Sequence, residues 1–144
     1  MELKSLDAVR RPRQQVVDGA SLNLAERIEG ETAASTAVRR LAEEIDHQRK
    51  AVETARASDQ DVETFGAWLR QARARLHQLS GEYERHAVET ARARAELATA
   101  RTALEAVETL VKKAETAIKI AALRAEQNVL DEIAARPPTN WMDR

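Results

Sequence analysis

The chain has no cysteine. That absence removes disulfides, thiolate metal sites and cysteine nucleophiles together, and it suits a reducing compartment. Proline and glycine are rare, at 3 and 4 of 144 residues, and aromatic residues are limited to 2 Trp, 1 Tyr and 1 Phe. Folds built on strands and tight turns need that punctuation, so all-β and α/β architectures are disfavoured. No stretch approaches the roughly 18 consecutive apolar residues of a membrane span. Segment 1–30 is charged and lacks an apolar signal core, so no cleaved secretory leader is expected. An excess of one charge is missing too. The 23 basic and 24 acidic residues nearly cancel, which argues against a dedicated nucleic-acid binder.

What the chain does have is alanine, 28 residues of it, within a composition that is 33% charged. Alanine buries too little area to fill a wide core. An Ala-, Glu-, Arg- and Leu-rich chain fits long helices or a coiled coil. The periodicity agrees. From Leu69, positions at alternating spacings of three and four read Leu69, Ala72, Leu76, Leu79, Tyr83, His86, Thr90, Ala93, Leu97, Ala100, Leu104, Val107, Val111, Ala114, Ile118, Ala121, Ala125 and Asn128. Only His86, Thr90 and Asn128 are polar, and an unbroken seam of this kind marks a coiled-coil helix. A weaker seam runs Val17, Ala20, Leu24, Arg27, Glu31, Ala34, Val38, Leu41, Ile45, Gln48, Val52, Ala55.

Between the seams, Ser58, Asp59 and Asp61 supply turn and N-cap chemistry, and Asp59 or Asp61 is expected to cap the second helix. The expected fold is therefore all-α: an antiparallel two-helix coiled-coil hairpin with a longer second helix. Helix 1 should cover about 3–57, the turn about 58–61 and helix 2 about 61–136, leaving 137–144 as a flexible tail after Pro137 and Pro138. Trp141 lies in that tail. Folding about a centre between Ser58 and Asp59 sets Leu41 against Leu76, Val38 against Leu79, Leu24 against Ala93 and Ala20 against Leu97. The polar interruptions then meet as well, Glu31 with His86 and Arg27 with Thr90. Pro12 either kinks the first helix or marks its start.

In this register helix 1 covers helix 2 only to Ala114. About 22 residues, or roughly 33 Å of helix, then overhang. The overhang carries Ile118, Ile120, Leu123, Val129, Leu130 and Ile133, an apolar display that calls for a covering partner.

Catalytic chemistry finds no support. His47, His77 and His86 form no metal-binding spacing, so surface or seam roles are the ordinary reading. There is no glycine-rich phosphate loop and no nucleophile elbow. Two helices offer no pocket to perturb the many carboxylates. No enzyme activity, cofactor or metal is expected. The basic clusters at Arg10, Arg11 and Arg13 and at Arg70, Arg73 and Arg75 read first as solvated faces, and second as docking sites for acidic protein or anionic lipid. Near the turn, Phe65, Trp68 and Leu69 are either a plug that closes the hairpin or an exposed anchor for a partner.

The C-terminal run Gln127, Leu130, Asp131, Glu132, Ile133, Ala134 resembles the end of the second helix in the flagellar export protein FliJ and its injectisome relatives of the YscO type. The opening Leu3, Leu6, Val9, Arg10 is similar to the start of that family. So are the chain length and the order of short helix, polar turn and long helix; Pro12 is a departure. The resemblance implies a coiled-coil stalk like the central subunit of rotary ATPases. Its joined termini enter the pore of a hexameric type III secretion ATPase, and its turn points toward the export gate. Carried over residue by residue, ATPase contact falls to Leu3, Leu6, Arg10, Arg13, Gln127, Leu130, Asp131 and Ile133, within segments 3–13 and 121–136. Gate contact falls to Phe65, Trp68 and Leu69. The resemblance further implies binding of secretion chaperones and a cytoplasmic position peripheral to the inner-membrane export apparatus. The chain alone is expected to be a monomer. Two other readings compete: a self-assembling or adaptor coiled coil with an unrelated partner, and a chaperone-like or membrane-surface hairpin. A parallel homodimer along the whole chain would stack Arg27 on Arg27 and Glu31 on Glu31, which is unfavourable.

Overall fold

The computed structural model describes residues 2–138. It contains two α-helices, α1 (Leu3–Thr54) and α2 (Asp59–Ala135). Trp141, and with it most of the expected tail, lies outside the described residues. No described residue is in a strand. This is the all-α hairpin with a longer second helix. Both helices start and stop close to the expected places, α1 ending three residues earlier and α2 beginning two earlier.

The turn explains that shift. Ser58, not Asp59 or Asp61, is the N-cap of α2. Its hydroxyl accepts from the Asp61 backbone N–H at 3.2 Å, and Asp61 Oδ2 accepts from the Ser58 N–H at 3.0 Å. This reciprocal pair is a capping box with aspartate as its acidic member. Asp59 and Asp61 then sit in the first turn, where carboxylates face the positive end of the helix dipole. Pro12 lies inside α1 and does not end it. The turns before it are held by Leu6, only 3% exposed, so packing outweighs the hydrogen bond that proline removes.

Contacts divide the chain into two compact units. One comprises 1–15 with 102–144, the other 16–101. In the second unit the α2 seam is buried at Ala72, Thr90, Ala93, Leu97 and Ala100 and half-buried at Leu76, Leu79, Tyr83 and His86. The α1 seam is half-buried at Val17, Ala20, Leu24, Glu31, Ala34, Val38, Leu41, Ile45 and Val52, whereas Arg27 and Gln48 turn out to solvent. Alanines reach near-complete burial because one facing helix covers so small a side chain. Leu97 is covered as well, whereas Leu76 and Leu79 keep an edge in water.

The register appears in two polar contacts of this unit. Thr90 Oγ1 donates to the Arg27 carbonyl oxygen at 3.1 Å, the pairing expected from the sequence. His86 packs on Gly30, where an added Cβ would stand 3.0 Å from Nδ1 and 3.2 Å from Cε1. On the surface, Lys50 and then Arg49 hold the Asp46 carboxyl below its ordinary pKa. A lowered carboxyl pKa contributes stability at neutral pH, and that contribution is lost as acidification passes the lowered value.

In the first unit Leu6 packs on Val107 and Val111, with Ala114 against them. Leu104 is buried as well. From 115 to 138 every residue is exposed.

Two stability measurements follow from these contacts. Ser58→Ala should lower the unfolding free energy by about 1 kcal/mol in urea titration, and Asp59→Ala by clearly less. A larger loss at Asp59 would overturn the assignment of the cap. Gly19→Ala and Gly81→Ala, with open space at Cβ, should each add about 0.5–1 kcal/mol. Gly30→Ala should gain less or lose, because the His86 ring must move; equal gains at all three would refute that contact.

Candidate functional site: the uncovered end of the second helix

Three groups of residues were expected to carry function, and the structure gives each a different setting. At the N-terminus Leu6 is a core residue, not a free contact. Leu3 is half-buried, and together with Leu6 it lines an apolar groove with Leu110, Ala114, Ala117 and Ile118. Arg10 and Arg13 are exposed, and Arg10 pairs with Asp7 at 3.3 Å, a surface contact of little energetic weight. The N-terminal residues thus meet α2 around 110–118. They do not meet Gln127, Leu130, Asp131 or Ile133, which lie farther along the same helix, about 18 Å from Ile118 to Leu130 at the helical rise.

The second group is the C-terminal part of α2. Ile118 is 57% exposed, Leu123 64%, Val129 56%, Leu130 59% and Ile133 58%. Gln127 Nε2 donates to Asp131 Oδ1 at 2.9 Å one turn on. A shallow depression here is lined by Ala125, Glu126, Val129 and Leu130. The seam that α1 covers up to Ala114 thus continues through Ala125, Val129 and Ile133, and Leu123 and Leu130 stand exposed on another face of the same helix.

The third group lies near the turn. Phe65 and Trp68 stack with ring centroids 5.9 Å apart and planes inclined by 29°. Both are half-buried, as is Leu69. Gln48, Val52, Asp61 and Thr64 share a depression with the two rings. This setting serves the plug and still leaves part of each ring in solvent.

Sequence reading missed Glu89. It takes Arg27 Nη1 at 2.9 Å in an exposed cross-helix ion pair. The signal was available in the break that Arg27 makes in the α1 seam, because a charged seam residue must reach outward to a partner beside the seam. Among the described residues no group of His, Cys, Asp or Glu is placed to hold a metal ion. Likewise no described helix is long and apolar enough to cross a membrane.

The flagellar FliJ protein family model matches residues 2–140. The chain belongs to the FliJ family. Neither curated proteins nor solved structures give a match. FliJ-family proteins are non-enzymatic stalk components of the flagellar and type III export machinery, on its cytoplasmic side.

The settings of the three groups predict separable effects of substitution. Trp68→Ala should cost about 1–2 kcal/mol of stability, since a half-buried, stacked ring is lost. Leu130→Asp with Ile133→Asp should change unfolding by less than about 0.5 kcal/mol, because both side chains are already in water. Thermal and urea unfolding of the two variants checks this. A large loss in the double variant would mean that the overhang is packed in solution.

Proposed function

We propose that this FliJ-family chain is the central-stalk coupling component of its export apparatus, with its two termini inserted into the pore of the hexameric secretion ATPase and its turn reaching toward the export gate. One observation carries the reading. The α2 stripe passes from buried at Val111 to fully uncovered beyond Ala114 without losing its apolar character. A helix in water gains nothing from Val129, Leu130 and Ile133 unless a partner desolvates them.

The role of each group follows. Leu130 and Ile133 are the apolar contacts in the pore, with Gln127 and Asp131 offering polar edges beside them. Leu3 supplies apolar surface at the N-terminus, and Leu6 holds that segment against α2. Arg10 and Arg13 offer positive charge to acidic groups on the ATPase wall. Phe65, Trp68 and Leu69 form the surface that meets the export gate, and secretion chaperones are a further class of partner. Helix α2 has no internal break, so displacement of its C-terminal end by nucleotide-driven movement of the hexamer is carried along continuous backbone hydrogen bonds. The protein performs no chemistry itself.

The deciding assay is ATP hydrolysis by the type III secretion ATPase of the same genome, with and without this chain. Stimulation of turnover is expected from the wild type, and its loss from the Leu130→Asp/Ile133→Asp variant. No stimulation together with no co-elution would refute the stalk role. The chain would then be an adaptor coiled coil for another partner.

A further inference from the structure

The uncovered part of α2 has two apolar faces, and only one continues the seam. At 100° per residue, Ile118, Ala122, Ala125, Val129 and Ile133 extend the stripe that α1 covers farther up the helix. Ile120, Leu123, Gln127, Leu130 and Ala134 form a second stripe, roughly 140° around the helix. Their spacings of three, four, three and four are those of a coiled-coil seam. Ile120 is 45% exposed, Leu123 64% and Leu130 59%. No described residue of α1 lies against this face.

The second stripe is self-complementary about a centre between Asn128 and Val129. In an antiparallel pair of these segments Leu123 of each copy meets Ala134 of the other, and Gln127 meets Leu130, where its long side chain can turn its amide outward. The flanking charges choose the direction. Arg124 and Asp131 share one flank. An antiparallel pair sets Arg124 of each copy beside Asp131 of the other, so the attraction occurs twice. On the opposite flank Glu126 lies beside Ile133, with no like-charge contact. A parallel pair would set Arg124 against Lys119 and Asp131 against Glu126, each twice, so all four flanking contacts repel.

From these observations we propose that the chain forms an antiparallel homodimer through Leu123, Gln127, Leu130 and Ala134 when no other partner covers its C-terminal helix. The seam is short, so the dimer is weak and exchanges with the monomer expected for the hairpin alone. It also buries Leu130, which the ATPase reading needs free. Self-pairing and pore entry therefore compete for one helix. The dimer itself stands independently of the ATPase, because it is measured with no other protein present.

The test is sedimentation equilibrium of the full chain from about 1 µM to about 1 mM. The mass should climb from 16.1 kDa toward twice that value. Arg124→Asp and Asp131→Arg, made singly, should each weaken association by about tenfold, since two attractive contacts become repulsive. The double exchange should restore wild-type association, because both cross-helix contacts then join opposite charges again. Leu123→Asp should abolish the dimer with helicity by circular dichroism unchanged. A monomer at every concentration would overturn the proposal. So would a dimer that Leu123→Asp leaves intact. Failure of the double exchange to restore pairing would overturn the antiparallel register.

Discussion

An alanine-rich helix can hide an apolar stripe only for as long as another helix lies on it. That constraint governs this molecule. Ala93, at 2% exposed, needs nothing beyond the facing helix to leave water, and Val111 is still covered at 6%. Past Ala114 the stripe carries on, and Val129 is 56% exposed. Where α1 begins thus determines where α2 becomes available, and Leu6, packed on Val107 and Val111, is the last buried side chain of α1 before that point.

Register follows from the same shortage of bulk. With so few large side chains, apolar contacts alone discriminate weakly between neighbouring heptads. The polar layer supplies the difference. Thr90 reaches the Arg27 carbonyl, Arg27 reaches Glu89, and His86 fills the space left by Gly30. A slip of one heptad would set Thr90 against Ala20 or Ala34 and take His86 off Gly30. Buried polar positions commonly trade stability for a unique alignment in this way. The Ser58–Asp61 capping box adds a local constraint on where α2 starts.

Membership of the FliJ family gives the uncovered helix a biological setting, and the physical chemistry narrows what it does there. Its two apolar faces make the segment competent for more than one partner. On the proposed reading, a surface that enters an oligomeric ring and stays in solution beforehand gains from a weak, reversible cover. Strong cover would block entry, and no cover would invite aggregation.

Much of this was legible in the primary structure. The three-and-four spacing from Leu69 to Ala114 specified a helix and its buried face, because side chains at that spacing share one side of any α-helix. The scarcity of glycine and proline left room for only one interruption, and the meeting of Arg27 with Thr90 followed from placing the turn at Ser58. The apolar overhang was legible too, as a matter of unequal helix lengths. Other features belonged to the tertiary structure alone. Sequence could not say that Leu6 is core while Leu3 lines a groove, since both are leucines between polar neighbours one turn apart. It could not say that Ser58 rather than Asp59 caps α2, because both can accept a backbone hydrogen bond and only the path of the turn selects one. Nor could it find the contact of His86 with Gly30, which depends on how two helices roll about each other. Spacing along one helix is a local property, set by the pitch of its backbone. Which side chains meet across two helices is settled only when their surfaces pack.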